Sequence, residues 1–138
     1  MRRSLPTLLA LLTLAAPLGG QAKPGHVYGV GYYQVVPGKG DAYNKALTEI
    51  AFPVLDELVK RKAVVSYMEL AQVAGAGEYS HIIVVEFSDW AALGAYFSRG
   101  NEAAQAVLHK SMSESFAGFP ELRRFIRFET YRPAGPQP

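Results

Sequence analysis

Residues 80–87, Ser-His-Ile-Ile-Val-Val-Glu-Phe, read as an extended segment that is apolar on both sides. Ile82 and Val84 point one way, and Ile83, Val85 and Phe87 point the other. The segment from Leu122 to Arg132 repeats the pattern, with Ile126 and Phe128 opposed to Phe125 and Tyr131. A sheet covered on one face alternates apolar with polar residues. These strands do not, so both of their faces require cover from water.

Periodicity and turn chemistry place the other elements. Val27 to Val36, rich in β-branched and aromatic residues, forms a first strand that stops at Pro37-Gly38-Lys39-Gly40. Asp41 is placed to cap a helix whose apolar stripe, Tyr43, Leu47, Ile50, Val54 and Leu58, runs to about Arg61. Pro53 lies inside that helix and removes the bond to the carbonyl of Glu49, so a kink or break is expected there. Ala63 to Val73 reads as a second strand, Ala74-Gly75-Ala76-Gly77 as a hairpin loop and Ser80 to Phe87 as a third strand, antiparallel to the second. Ser88 or Asp89 caps a short helix carrying Leu93, Tyr96 and Phe97. Arg99-Gly100-Asn101 is expected to interrupt it before a second run with Ala104, Leu108, Met112 and Phe116, and Pro120 ends the helical region. Leu122 to Arg132 is the last strand. Residues 133–138 form a proline-rich tail expected to be disordered.

The order β-α-β-β-α-β is the split βαβ arrangement, an α+β fold in which a four-stranded antiparallel sheet carries its helices on one face. The helices shield only that face. A second copy of the chain is the economical cover for the other, so a homodimer with sheets packed face to face is expected.

The chain divides into residues 1–22, a domain over residues 23–132 and the tail. Met1-Arg2-Arg3 is a cationic start, Leu5 to Leu18 is a largely apolar run, and Gly20-Gln21-Ala22 puts small residues at the two positions a signal peptidase reads. This predicts an exported protein, periplasmic or secreted, cleaved near Ala22. The run is shorter than the roughly 20 apolar residues of a membrane span and is broken by Pro6 and Pro17, so no stable membrane anchor is expected after cleavage. With no Cys, disulfides, thiolate metal sites and cysteine nucleophiles are excluded. Two of the 14 Lys+Arg lie in the first 22 residues, leaving 12 against 12 Asp+Glu. The mature chain is then nearly neutral, and net charge gives no case for nucleic-acid binding.

Tyr32-Tyr33-Gln34-Val35-Val36-Pro37-Gly38-Lys39, Phe52-Pro53-Val54, and the stretch from Glu86-Phe87-Ser88-Asp89-Trp90 to Tyr96 resemble the dimeric α/β-barrel, ferredoxin-like superfamily. Within it the chain is similar to antibiotic-biosynthesis-monooxygenase-like proteins, over roughly Val27 to Arg132. The resemblance implies two sheets paired into one barrel and a small-molecule cavity between sheet and helices. The superfamily includes cofactor-free monooxygenases, haem-degrading enzymes, lactone isomerases and proteins without known activity, so the fold carries no single chemistry.

The residues narrow the chemistry further. Haem-degrading relatives combine an Asn on the first strand, a Trp after the third and a His on the following helix. Here Trp90 and His109 are present, 19 residues apart, and the first strand has no Asn. His26, His81 and His109 are scattered singly, so no metal site is expected. No Gly-x-Ser-x-Gly elbow and no nucleotide-binding glycine loop occur. Candidate pocket residues are Tyr33, Tyr67, Glu69, Trp90, Arg127 and Tyr131, with Glu129 beside the last two. By parity Tyr67 and Glu69 share one face of their strand, as do Arg127, Glu129 and Tyr131 of theirs. Gly29 and Gly31 leave space for a ligand or for close approach of a helix. The expected function is binding of a small apolar or aromatic molecule in that cavity, with no cofactor required by the sequence. The alternative is an oxygenase, cofactor-free or haem-dependent, acting on a phenolic or porphyrin-like substrate, with His81, His109 and Tyr33 as candidates for proton transfer.

Overall fold

The computed structural model describes residues 25–75 and 77–134. The cleavage segment at 1–22 and residues 135–138 of the tail lie outside them. Strand β1 (Val27–Val35) leads into α1 (Gly40–Ala46), a π-helical turn (Leu47–Ala51) and α2 (Phe52–Lys60). Strands β2 (Ser66–Ala71) and β3 (His81–Phe87) follow. Then come α3 (Trp90–Gly94), α4 (Tyr96–Leu108), α5 (Met112–Ser115), a 3-10 turn (Phe119–Glu121) and β4 (Arg123–Tyr131). The sheet has the order β2-β3-β1-β4, and every pairing is antiparallel. The expected α+β ferredoxin-like architecture is therefore present.

Pro53 does disturb the first helical region, in a specific way. It sits in the first turn of α2, where a missing N–H costs nothing, and the chain reaches it through the π turn, whose Phe52 N–H bonds back to the Leu47 carbonyl. Asp41 does not cap: the N-cap is Lys39, without a side-chain bond, and Asp41 lies in the first turn instead. Asp89 is the cap of α3, its carboxylate accepting from the Ala92 N–H at 2.8 Å. The interruption expected at Arg99-Gly100-Asn101 falls earlier, at Ala95, and α4 runs through Gly100 to Leu108. His109, at φ 57°, ends it in the left-handed conformation, so Met112 belongs to a separate short helix and Phe116 to its C-cap. Gly100 and Asn101 dock that helix. A Cβ on Gly100 would stand 2.7 Å from the Met112 sulfur, and Asn101 Oδ1 accepts from the Met112 N–H at 3.1 Å.

Two buried clusters hold the helices on the sheet. Val54, Leu55, Leu58, Val85, Phe87, Ala103 and Ala104 form one. Val35, Tyr43, Leu47, Ala51 and Phe119 form the other. The opposite face carries Val30, Met68, Leu70, Ile82 and Val84, with Met68 and Leu70 about half exposed at 52% and 48%.

Strand β4 departs from simple alternation. Its register with β1 shifts between Tyr32 and Tyr33, so that Arg127 pairs with Tyr32 but Phe125 with Tyr33. This bulge turns Phe125 and Arg123 toward the helix side. Phe125 therefore shares a face with Phe128, not with Tyr131 as strict parity would have it; its ring lies 5.8 Å from that of Tyr33.

Candidate functional site

A cavity of about 140 Å³ lies between sheet and helices, where the two core clusters meet. Gly29, Gly31 and Tyr33 of β1 form its floor with Ile83 and Val85 of β3. Ala51, Leu55, Tyr96, Met112 and Phe116 close it from the helices, and Arg123 and Phe128 from β4. The two glycines permit close approach, though of aromatic rings rather than of a helix. A Cβ on Gly29 would meet the Phe128 ring at 2.8 Å, and one on Gly31 would meet the Tyr33 hydroxyl at 2.6 Å. Tyr33, Phe116 and Arg123 continue into an outer groove of about 560 Å³ with Phe119, Pro120, Arg124 and Phe125.

The polar end of the cavity is organised around Arg123. Its guanidinium lies 3.7 Å over the Tyr33 ring and 4.7 Å from the centre of Phe119, and it donates to the Tyr43 hydroxyl at 3.0 Å. Burial pushes the Tyr43 hydroxyl up to about 12 against the opposing pull of Arg123. The Tyr96 hydroxyl is likewise raised to about 12, chiefly by burial. Next to Tyr43 stand His81, whose ring meets it edge-on at 5.1 Å, and Glu69. One oxygen of Glu69 is buried without a hydrogen-bond partner among the described residues. Burial raises the Glu69 carboxyl above its ordinary value, and the proximity of His81, the Tyr43 hydroxyl and Arg123 only partly offsets it. Tyr33, Glu69, His81 and Arg123 come from the four strands and Tyr43 from α1.

Of the residues singled out in the sequence, Tyr33 lines the cavity, while Glu69 and His81 stand behind it. Tyr67 is on the same face but fastens β2 to α2, stacking on Phe52 and donating to Asp56 at 2.7 Å. Arg127, Glu129 and Tyr131 do share a face. It is the opposite one, where Arg127 pairs with Glu129 at 2.9 Å, covers the Tyr32 ring at 4.2 Å, and the Tyr131 hydroxyl bonds to Glu129. Trp90 is 62% exposed at the start of α3, and His109 is exposed at the end of α4; neither reaches the cavity.

Sequence reasoning named Tyr43, Tyr96, Phe116 and Phe128 only as packing residues and did not single out Arg123. Tyr43 was legible as core, and its hydroxyl is what joins the core to Arg123.

No histidine lines the cavity, and a porphyrin is far larger than its volume, so the residues present do not fit haem. Among the described residues no three His, Cys, Asp or Glu side chains gather to hold a metal ion, and no helix is long and apolar enough to cross a membrane.

No protein-family model and no curated protein matches the sequence. Solved structures do match the fold. HapK from Hahella chejuensis superposes with a TM-score of 0.52 at 14% identity, over 80% of this chain and 95% of that one. SnoaB, a cofactor-independent oxygenase from Streptomyces nogalater, gives 0.52 at 12% identity over 82% and 97%. A candidate antibiotic biosynthesis monooxygenase from Chloroflexus aurantiacus gives 0.51 at 15% over 83% and 98%. The chain has the ferredoxin-like fold of this group. At such identities the likeness concerns architecture and leaves the chemistry to the residues.

Proposed function

We propose that this protein binds a small, mainly apolar or aromatic molecule in the cavity between sheet and helices. The observation that carries this reading is the cavity between sheet and helices, walled by Tyr33, Tyr96, Phe116 and Phe128 with a single cationic group, Arg123, in its lining. Such a lining, apolar with few convergent polar groups, is the usual form of a small-molecule site. Calorimetric titration with naphthol tests it. Binding should be lost in Ala51→Phe, which puts a ring into the cavity. Failure of naphthol to bind, or equal binding to that variant, overturns the reading.

A second reading is an oxygenase that uses dioxygen on a phenolic substrate without haem. It is favoured by Tyr33, the candidate for proton transfer that lines the cavity. SnoaB, a cofactor-independent oxygenase, has the same fold. Oxygen uptake with naphthol as substrate should then exceed the protein-free rate; uptake equal to that rate overturns it.

The assembly in this proposal is a homodimer closed through the outer sheet face, and the chain is exported, with cleavage after Ala22. Amino-terminal sequencing of the mature protein tests the cleavage: an intact Met1 overturns it.

A further inference from the structure

Arg123 stands at the junction of the cavity and the outer groove and lines both. Its guanidinium carbon lies over two aromatic rings, 3.7 Å from the centre of Tyr33 and 4.7 Å from that of Phe119. A guanidinium has five N–H donors, and its one hydrogen bond among the described residues uses a single nitrogen, toward Tyr43. The ion pairs formed among the described residues engage Arg61, Arg99 and Arg127 but leave Arg123 out. Arg124 adds a second cation to the groove wall.

A half-buried cation held over aromatic rings, with N–H donors unused by any carboxylate among the described residues, is a preformed seat for a planar anion. The walls beyond it are aromatic. We propose that Arg123 is a specificity-determining binding residue that selects flat aromatic ligands bearing a carboxylate, seating the ring among Tyr33, Tyr96, Phe116 and Phe128 and the anion on its own outward N–H groups. This rests on the cavity reading above and adds the charge of the ligand to it.

The test compares naphthoate with naphthalenemethanol, which has the same ring system and no charge, by calorimetry on the full chain. A charge-assisted bond of the usual strength gives about a tenfold to hundredfold preference for the acid. Arg123→Gln should abolish that preference, and Arg123→Lys should retain part of it. Equal affinities in the unaltered protein, or a preference that survives Arg123→Gln, overturn the proposal. Should that variant fail to fold, the comparison in the unaltered protein decides alone. Binding of the alcohol without preference for the acid leaves the cavity reading standing and removes the anion seat; binding of neither removes both.

Discussion

The Arg123 guanidinium donates to the Tyr43 hydroxyl at 3.0 Å, a bond between the first residue of β4 and a fully buried side chain of α1. It ties the sheet edge to the helical layer across a sequence separation of 80 residues. Removing the hydroxyl in Tyr43→Phe keeps the packing and leaves Arg123 one acceptor short. We expect a loss of about 1–2 kcal/mol of stability, measured by urea denaturation. An unchanged midpoint would mean that water replaces the bond at no cost.

Glu69 and Glu86 should respond to pH with opposite signs. Glu69 is raised by burial, so the folded state holds its proton more tightly than the unfolded chain, and stability is lost as pH rises through its folded value. Glu69→Gln should therefore stabilise at neutral pH, with the gain fading as pH falls through about 4.5, the ordinary carboxylate value. Burial also raises Glu86, but bonds from Ser66 at 2.5 Å, His26 at 2.6 Å and Tyr28 at 3.2 Å outweigh it and leave the carboxyl lowered. Its contribution is present above the unfolded value and disappears as pH falls through the folded one. Glu86→Gln should destabilise at neutral pH and cost little in acid. Denaturation midpoints across a pH series check both, and slopes of the same sign would contradict the assignment.

Gly31→Ala brings a Cβ to within 2.6–2.9 Å of three Tyr33 atoms, so the ring must swing off the strand and away from Arg123. Overpacking of this kind costs about 1–3 kcal/mol. The expected result is a lower melting temperature together with weakened naphthoate binding. Full binding in the variant would show that Tyr33 does not shape the cavity.

Asp89→Ala removes the side-chain cap on α3 and should cost about 1 kcal/mol. Thermal unfolding measures it, and because the site is remote from the cavity, ligand affinity should not move.

On the outer sheet face, Met68 and Leu70 are half exposed beside Val30, Ile82 and Val84. If a second sheet covers them, the protein is a dimer by light scattering and the double variant Met68→Lys, Leu70→Glu is a folded monomer. A monomer before substitution would remove the face-to-face pairing.

The pattern of the strands was legible because alternation is a local property: Ile82 and Val84 separate from Ile83, Val85 and Phe87 as their spacing demands. The site was legible only in part, and the reason is the bulge. Counting by twos puts Arg123 with Arg127 and Tyr131, and one extra residue in β4 moves it to the other side. Tyr43 was legible as core but not as the acceptor for Arg123. A tyrosine in an apolar stripe looks like core, and it is core; where its hydroxyl ends depends on a strand 80 residues away. Trp90 stands where haem-degrading relatives carry a Trp after the third strand, yet its position at the first residue of a short capped helix leaves it facing solvent.

The π turn at Leu47–Ala51 lets Tyr43 before it and Leu55 after it both face the sheet. An α-helix advances by about 100° per residue, so deleting one residue from that turn would rotate every later side chain of α2 by roughly that angle. Leu55 and Leu58 would swing outward together while Tyr43 kept its place. The wide turn thus works as a phase adjuster, and the chamber's roof and its polar end stay in step only while its length is preserved.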